Sequence, residues 1–158
     1  MTKKQHRYQT TIQWTGNNGQ GTTGYRDYER DFTVSTEGKP ILLGSSDPAF
    51  RGDKTKYNPE DLLVASISSC HMLWYLHLCS EAGVVVIDYR DTAKGLMVET
   101  PNGGGRFSAV TLCPVVTISD ASMVEKANEL HHKANELCFI ANSLNFTVEH
   151  QPTCVVKP

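Results

Sequence analysis

From Leu62 to Ser80 the chain carries no Asp, Glu, Lys or Arg. A bilayer span needs about 20 mostly apolar residues. This run also holds Ser66, Ser68, Ser69, His71, His77 and Ser80, too many polar groups for a lone span. A helix that is apolar nearly all round is otherwise a central core helix. The residues before it form a helix start. Asn58 can cap, Pro59 suits the first helical position, and Glu60 and Asp61 favour the positive end of the helix dipole. Gly83 is the natural stop. The sequence therefore predicts a long core helix from Pro59 to about Ala82, and no membrane segment.

The remaining segments read mostly as strands. Residues 7–14 alternate, with Tyr8, Thr10, Ile12 and Trp14 on one face. A turn-rich link, Thr15 to Thr22, leads to a second strand from about Gly24 to Ser35. Ile41-Leu42-Leu43 is a short apolar third. Val84 to Glu99 and Arg106 to Ile118 read as two strands joined by the hairpin loop Asn102 to Gly105, with Pro114 marking an edge or a bulge. Ser119 or Asp120 caps a second long helix, in which Val124, Ala127, Leu130, Ala134, Leu137, Cys138, Ala141 and Leu144 recur at helical spacing. Phe146 to Val156 is the last strand. The order β-β-β-α-β-β-α-β is that of an α+β domain. A length of 158 residues suits one domain over residues 1–158.

Charge and cysteine usage narrow the function. Fifteen basic against seventeen acidic residues give a net charge of −2, and no basic block compensates. This argues against nucleic acid as a partner. Five cysteines cannot all pair within the chain, and no two are spaced CxxC, which removes a thioredoxin-type dithiol and a zinc ribbon. The basic start lacks the apolar run of a signal peptide. These features predict a cytoplasmic protein with reduced thiols. His77, His131-His132 and His150 show no metal-ligand spacing. The Gly103-Gly104-Gly105 run lacks the Lys and Ser/Thr of a phosphate loop. No metal or cofactor is expected.

Two cysteines lie on the predicted helices, Cys70 in Ser68-Ser69-Cys70-His71 and Cys138 in Glu136-Leu137-Cys138-Phe139. Free cysteine is often a small buried hydrophobe, and Cys79, Cys113 and Cys154 read that way. Cys70 lies too far along its helix to borrow the N-terminal field, which fades within a turn. A reactive Cys70 needs an adjacent cation. Arg26 and Arg30 share parity with Tyr28, Phe32 and Val34 on the second strand, which points both toward the core side if that face is the buried one. A buried guanidinium needs a carboxylate or thiolate partner.

Asn58-Pro59-Glu60-Asp61-Leu62-Leu63, Ser68-Ser69-Cys70-His71 and Cys138 ahead of Ala141-Asn142-Ser143 together resemble the OsmC/Ohr family, the osmotically inducible protein C and organic hydroperoxide resistance proteins. Trp14-Thr15-Gly16-Asn17 with Gly21-Thr22 resembles its OsmC-like branch. The likeness covers nearly the whole chain. It implies two long central helices packed on curved antiparallel sheets in an intertwined dimer. It also implies a thiol peroxidase for organic hydroperoxides, with Cys70 peroxidatic, Cys138 resolving through a Cys70–Cys138 disulfide, and Glu60 the active-site glutamate. A dithiol, such as a lipoyl protein, would be the reductant. The family's Ohr branch carries its arginine at the first β-turn, where this chain has Asn17-Asn18-Gly19. Arg30 and Arg26 are the substitutes, with Arg51 third.

Helix geometry adds a condition. Glu60 and Cys70 are ten positions apart, about 15 Å along one helix. Glu60 can serve only a partner's Cys70, in a two-fold dimer whose copies of this helix cross near Ala65. Two rival functions remain: a redox-sensing or small-molecule-binding domain without turnover, and a hydrolase with Cys70 nucleophile and His71 base. Neighbouring helix positions point about 100° apart, which disfavours the latter.

Overall fold

The computed structural model describes residues 4–157. The chain forms two compact units, Met1–Leu62 and Leu63–Pro158.

The first unit is a three-stranded antiparallel sheet, β1 (Thr11–Trp14), β2 (Phe32–Ser35) and β3 (Leu42–Gly44), in that order. Trp14 pairs with Phe32 and Thr11 with Ser35. The Trp14-Thr15-Gly16-Asn17 run shapes the start of the link. Trp14 Nε1 donates to the Glu29 carbonyl at 2.9 Å. Gly16 lies so close that a Cβ there would sit 1.9 Å from that same oxygen. Asn17 Oδ1 accepts from the N–H groups of Gly19 and Gly21, each at 2.9 Å, an Asx-type turn. Lys56 pairs with Asp31 and, at 3.2 Å, with Asp53. Hydrogen bonds from Thr55 and Lys56 hold the Asp53 carboxyl down at about 2.

The second predicted strand is shorter than the sequence suggests. Residues 24–28 form turns and bends, and β2 begins only at Phe32. Arg26 and Arg30 therefore have no strand face. Tyrosines and turn carbonyls organise this segment locally instead, as described below.

The first long helix, α1, runs from Pro59 to Glu81 and begins in the first unit. Asn58 and Asp61 cap it reciprocally: Asn58 Oδ1 accepts from Asp61 N at 2.8 Å, and Asp61 Oδ2 accepts from Asn58 N at 3.3 Å. Gly83, at φ 74°, ends it in the left-handed region. By length and composition α1 could cross a membrane. Its stripe Ile67, His71, Tyr75 and Cys79 is instead buried in the second unit. The serines find local partners, with Ser66 Oγ donating to Leu63 O and Ser69 Oγ to Ser66 O.

In the second unit each long predicted strand divides in two. Val84 to Glu99 becomes β4 (Val86–Asp91) and β5 (Lys94–Glu99), and Arg106 to Ile118 becomes β6 (Gly105–Leu112) and β7 (Pro114–Ile118). The terminal segment becomes β8 (Val148–His150) and β9 (Thr153–Val156), with Pro152 between them. The halves enter different sheets, β4-β7-β9 and β5-β6-β8. Both sheets are mixed rather than antiparallel, because β8 and β9 run parallel to β6 and β7. Pro114 opens β7 at the break. The second helix, α2, spans Val124–Leu137 after a turn capped by Asp120. It stops seven residues short of the expected Leu144. Ile140, Ala141 and Leu144 keep their apolar role by packing on Ile67, Val110, Leu112 and Val148. A second core holds Tyr75, Cys79, Val116, Ile118 and the α2 residues Ala127, Leu130 and Ala134.

The Asn58 cap should be measurable. Asn58→Ala should lower stability by about 1 kcal/mol, read as a shift of the urea midpoint without change in slope.

Candidate functional site

Cys70 sits in the middle of α1 and is half-buried, while Cys138 is 1% exposed. Both thiols are free. The structure brings them side by side, and the contact with Cys70 helps raise the Cys138 pKa. Cys138 is the residue at which α2 ends, with φ −65° and ψ 111°, rather than a position inside the helix. Leaving the helix turns its Sγ back toward the following turn, where it accepts from Ala141 N at 3.4 Å. Asn142 ties the same turn to the helix, its Nδ2 donating to Glu136 O at 2.9 Å. Burial and Cys70 outweigh the Ala141 and Ile140 N–H contacts to the sulfur and push the Cys138 thiol up to about 11. It is therefore protonated at neutral pH.

Aromatic side chains flank the pair. Trp74 stands one helical turn beyond Cys70, and Phe139 follows Cys138. Their rings meet edge to face at 5.6 Å. Phe139 is otherwise exposed. The helix segment before Cys70 is anchored by Asp91, at the end of β4. Asp91 Oδ2 accepts from Ser68 Oγ at 2.5 Å, and Oδ1 accepts from Cys113 N at 2.7 Å. One carboxylate thus joins α1 to the break between β6 and β7.

The other predicted residues fall as follows. Glu60 is in the first turn of α1, part-buried. Arg30 is half-buried and ordered within its own turn. Its guanidinium donates to Tyr28 O at 2.5 Å and Tyr25 O at 2.6 Å, and lies over both tyrosine rings at 4.1 and 4.5 Å. Arg26 is exposed. Arg51, the third candidate, has φ 66° and lies 5.8 Å from the Tyr25 ring. Cys79 packs in a core, and burial raises its pKa. Cys154 lies in β9, whereas Cys113 lies in the break before β7 rather than in a strand.

Sequence reasoning missed one constellation. His71 is fully buried and bonds His131, Nε2 to Nδ1 at 3.0 Å. His150 and His132 join them. His71 thus turns to His131 and forms no base pair with Cys70. The signal available was positional. His71 occupies the buried Ile67–Tyr75–Cys79 stripe, but its partners lie on α2 and β8, which only the fold assembles. Among the described residues no group of three or more His, Cys, Asp or Glu is set to hold a metal ion.

Comparison with known proteins follows the same outline. A family model described as OsmC-like protein matches residues 52–152. The fold matches an OsmC-like protein of unknown function from Vibrio cholerae, with a TM-score of 0.84, 28% identity, and coverage of 94% of this chain and 99% of that one. An organic hydroperoxide resistance protein from Elizabethkingia anophelis gives a TM-score of 0.67 at 21% identity, covering 98% and 100%. A putative organic hydroperoxide resistance protein from Vibrio cholerae, with captopril bound in one of its active sites, gives 0.63 at 24%, covering 97% and 95%. No curated protein matches the sequence.

The thiol pair makes a labelling prediction. With a pKa near 11, only about one thousandth of Cys138 is thiolate at pH 8. Iodoacetamide at pH 8 should leave Cys138 unmodified in native protein and label it on denaturation, as read by peptide mass mapping.

Proposed function

This chain belongs to the OsmC-like protein family, and from that premise we propose that it is a cysteine-dependent peroxidase for organic hydroperoxides. The observation that carries the reading is the half-exposed Cys70 thiol beside a buried, protonated Cys138. Two such thiols supply both sulfur atoms of the chemistry. Cys70 thiolate attacks the distal peroxide oxygen, the O–O bond breaks, and the alkoxide takes a proton to leave as alcohol. Cys70 is then a sulfenic acid. Cys138 sulfur attacks the Cys70 sulfur, the hydroxyl leaves with a proton as water, and a disulfide forms. A cytoplasmic dithiol, such as a lipoyl group, restores both thiols by exchange. The Trp74 and Phe139 rings favour an organic peroxide over hydrogen peroxide. The names of the solved hydroperoxide-resistance proteins support the same substrate class.

A composite dimer site belongs to this reading. Ala65, Ser69, Leu73 and His77 form an exposed stripe on α1, opposite Ile67, His71, Tyr75 and Cys79. Leu73 is 62% exposed. Small residues at Ala65 and Ser69 suit close approach of a second α1. Antiparallel crossing near Ala65 would bring the partner's Glu60 toward Cys70. For the cation, Arg30 is preferred to Arg26, because its guanidinium is already ordered.

The test is turnover of cumene hydroperoxide with dihydrolipoamide. Wild type should turn over, Cys70→Ser should fall to background, and Cys138→Ser should reduce one equivalent and then accumulate a dimedone-reactive sulfenic acid. Turnover surviving Cys70→Ser would refute the mechanism. Disulfide formation without turnover would indicate a redox sensor. Arg30→Ala should lose about 100-fold in kcat/KM, and Glu60→Gln should also lose activity. Sedimentation should show a dimer for wild type and a monomer for Ala65→Arg.

A further inference from the structure

The clustered histidines have no part in this thiol chemistry. They lie where three elements meet. His71 comes from α1, His131 and His132 from α2, and His150 from β8. The His71 and His131 rings are nearly parallel, 4° apart, with centroids at 5.4 Å, and share the single ring-to-ring hydrogen bond. Tyr75 stacks on the His131 ring at 3.8 Å. His150 lies 5.9 Å from His71 and 6.4 Å from His131. His132, at the exposed end, meets His150 edge to face at 4.8 Å. His71 Nδ1 and both nitrogens of His150 are buried without a hydrogen-bond partner.

This arrangement disfavours added charge. In an imidazole pair one nitrogen donates and the other accepts, so the bond requires at least one neutral ring. A proton added to the cluster becomes a buried cation. The facing groups offer it little. Tyr75 on α1 and Tyr89 on β4 are phenols held neutral by burial. On β9, burial raises Cys154. On α2 the neighbours are two further histidines. The one carboxylate that acts on His71 is Asp91, whose oxygens already accept from Ser68 and Cys113.

We propose that the histidine cluster is an acid-operated latch: neutral, it clamps α1, α2 and β8 together, and on taking up protons it releases α2 and the Cys138 turn from α1. Cys138 directly follows the last residue of α2, the helix that carries His131, so the latch also holds the thiol pair closed. Burial and the mutual repulsion of the rings lower His71 to about 4 and His131 to about 3, and lower His150 as well. An unfolded histidine titrates near 6.5. The latch is therefore fully stabilising above about pH 6.5 and weakens as pH falls from there toward about 4. With three protons taken up, the opening constant rises up to about 1,000-fold per pH unit.

The proposal does not depend on peroxidase activity, and its test reads none. In the intact protein, NMR ring C–H signals of His71 and His131 should stay unshifted from pH 8 to 5. Titration of His71 or His131 near pH 6.5 would overturn the latch. Labelling of Cys138 by 4,4′-dithiodipyridine should accelerate at least 100-fold between pH 7 and 5, and substitution of the exposed His6, His6→Gln, should behave as wild type. His71→Asn, which keeps one amide partner for His131, should shallow the pH dependence of the urea midpoint by about one proton. If that variant fails to fold, His150→Gln serves the same comparison. An unchanged slope in the variant, or a flat wild-type response, would overturn the proposal.

Discussion

One face of α1 organises the second unit. Ile67, His71, Tyr75 and Cys79 recur every four residues and are buried almost completely. Ile67 belongs to the core built on β6 and β8, and Tyr75 and Cys79 to the core built on β7 and α2. His71 stands between them. Burial of an Ile-sized apolar side chain contributes about 1.5–3 kcal/mol, and Ile67 and Tyr75, two turns apart on one stripe, fix the rotation of the helix. That rotation turns Cys70, one position before His71, toward the end of α2.

The second constraint is where α2 stops. A helix continued to Leu144 would keep Cys138 on a regular helical surface, with its sulfur aimed along the stripe. The stop at Leu137 instead puts Cys138 into an extended backbone and folds the next turn beneath it. The turn supplies N–H groups to the sulfur, and Ile140, Ala141 and Leu144 close the core below. The same three apolar positions satisfy helical periodicity and a core-covering turn alike. Periodicity cannot separate these outcomes, because it reports which residues are buried and not the backbone that buries them.

Similar reasoning explains the divided strands. Val84 to Glu99 reads as one strand, yet Asp91 takes two hydrogen bonds from elsewhere, and the chain changes sheets just after it. Cys113 and Pro152 stand at the matching breaks. Local propensity detects strands. It does not detect the change of sheet, which depends on which strands lie alongside. Arg30 shows the converse. Alternation placed it on a strand face, but Tyr25 and Tyr28 offer two carbonyls and two ring faces within five residues. That local set outweighs strand pairing.

The sequence by itself determined the α+β class, the start and stop of α1, the hairpin at Asn102 to Gly105, and the candidacy of Cys70 and Cys138. These rest on local signals: a cap, a left-handed glycine, an uncharged helix, a turn-rich loop. Tertiary structure alone decided that the two thiols lie together, that α2 ends at the second of them, that the sheets are mixed, and that four histidines from α1, α2 and β8 gather in one cluster around the buried His71 and His131. Each of these joins residues far apart in the chain. Their proximity follows from how two cores pack around one helix, and no local preference encodes it.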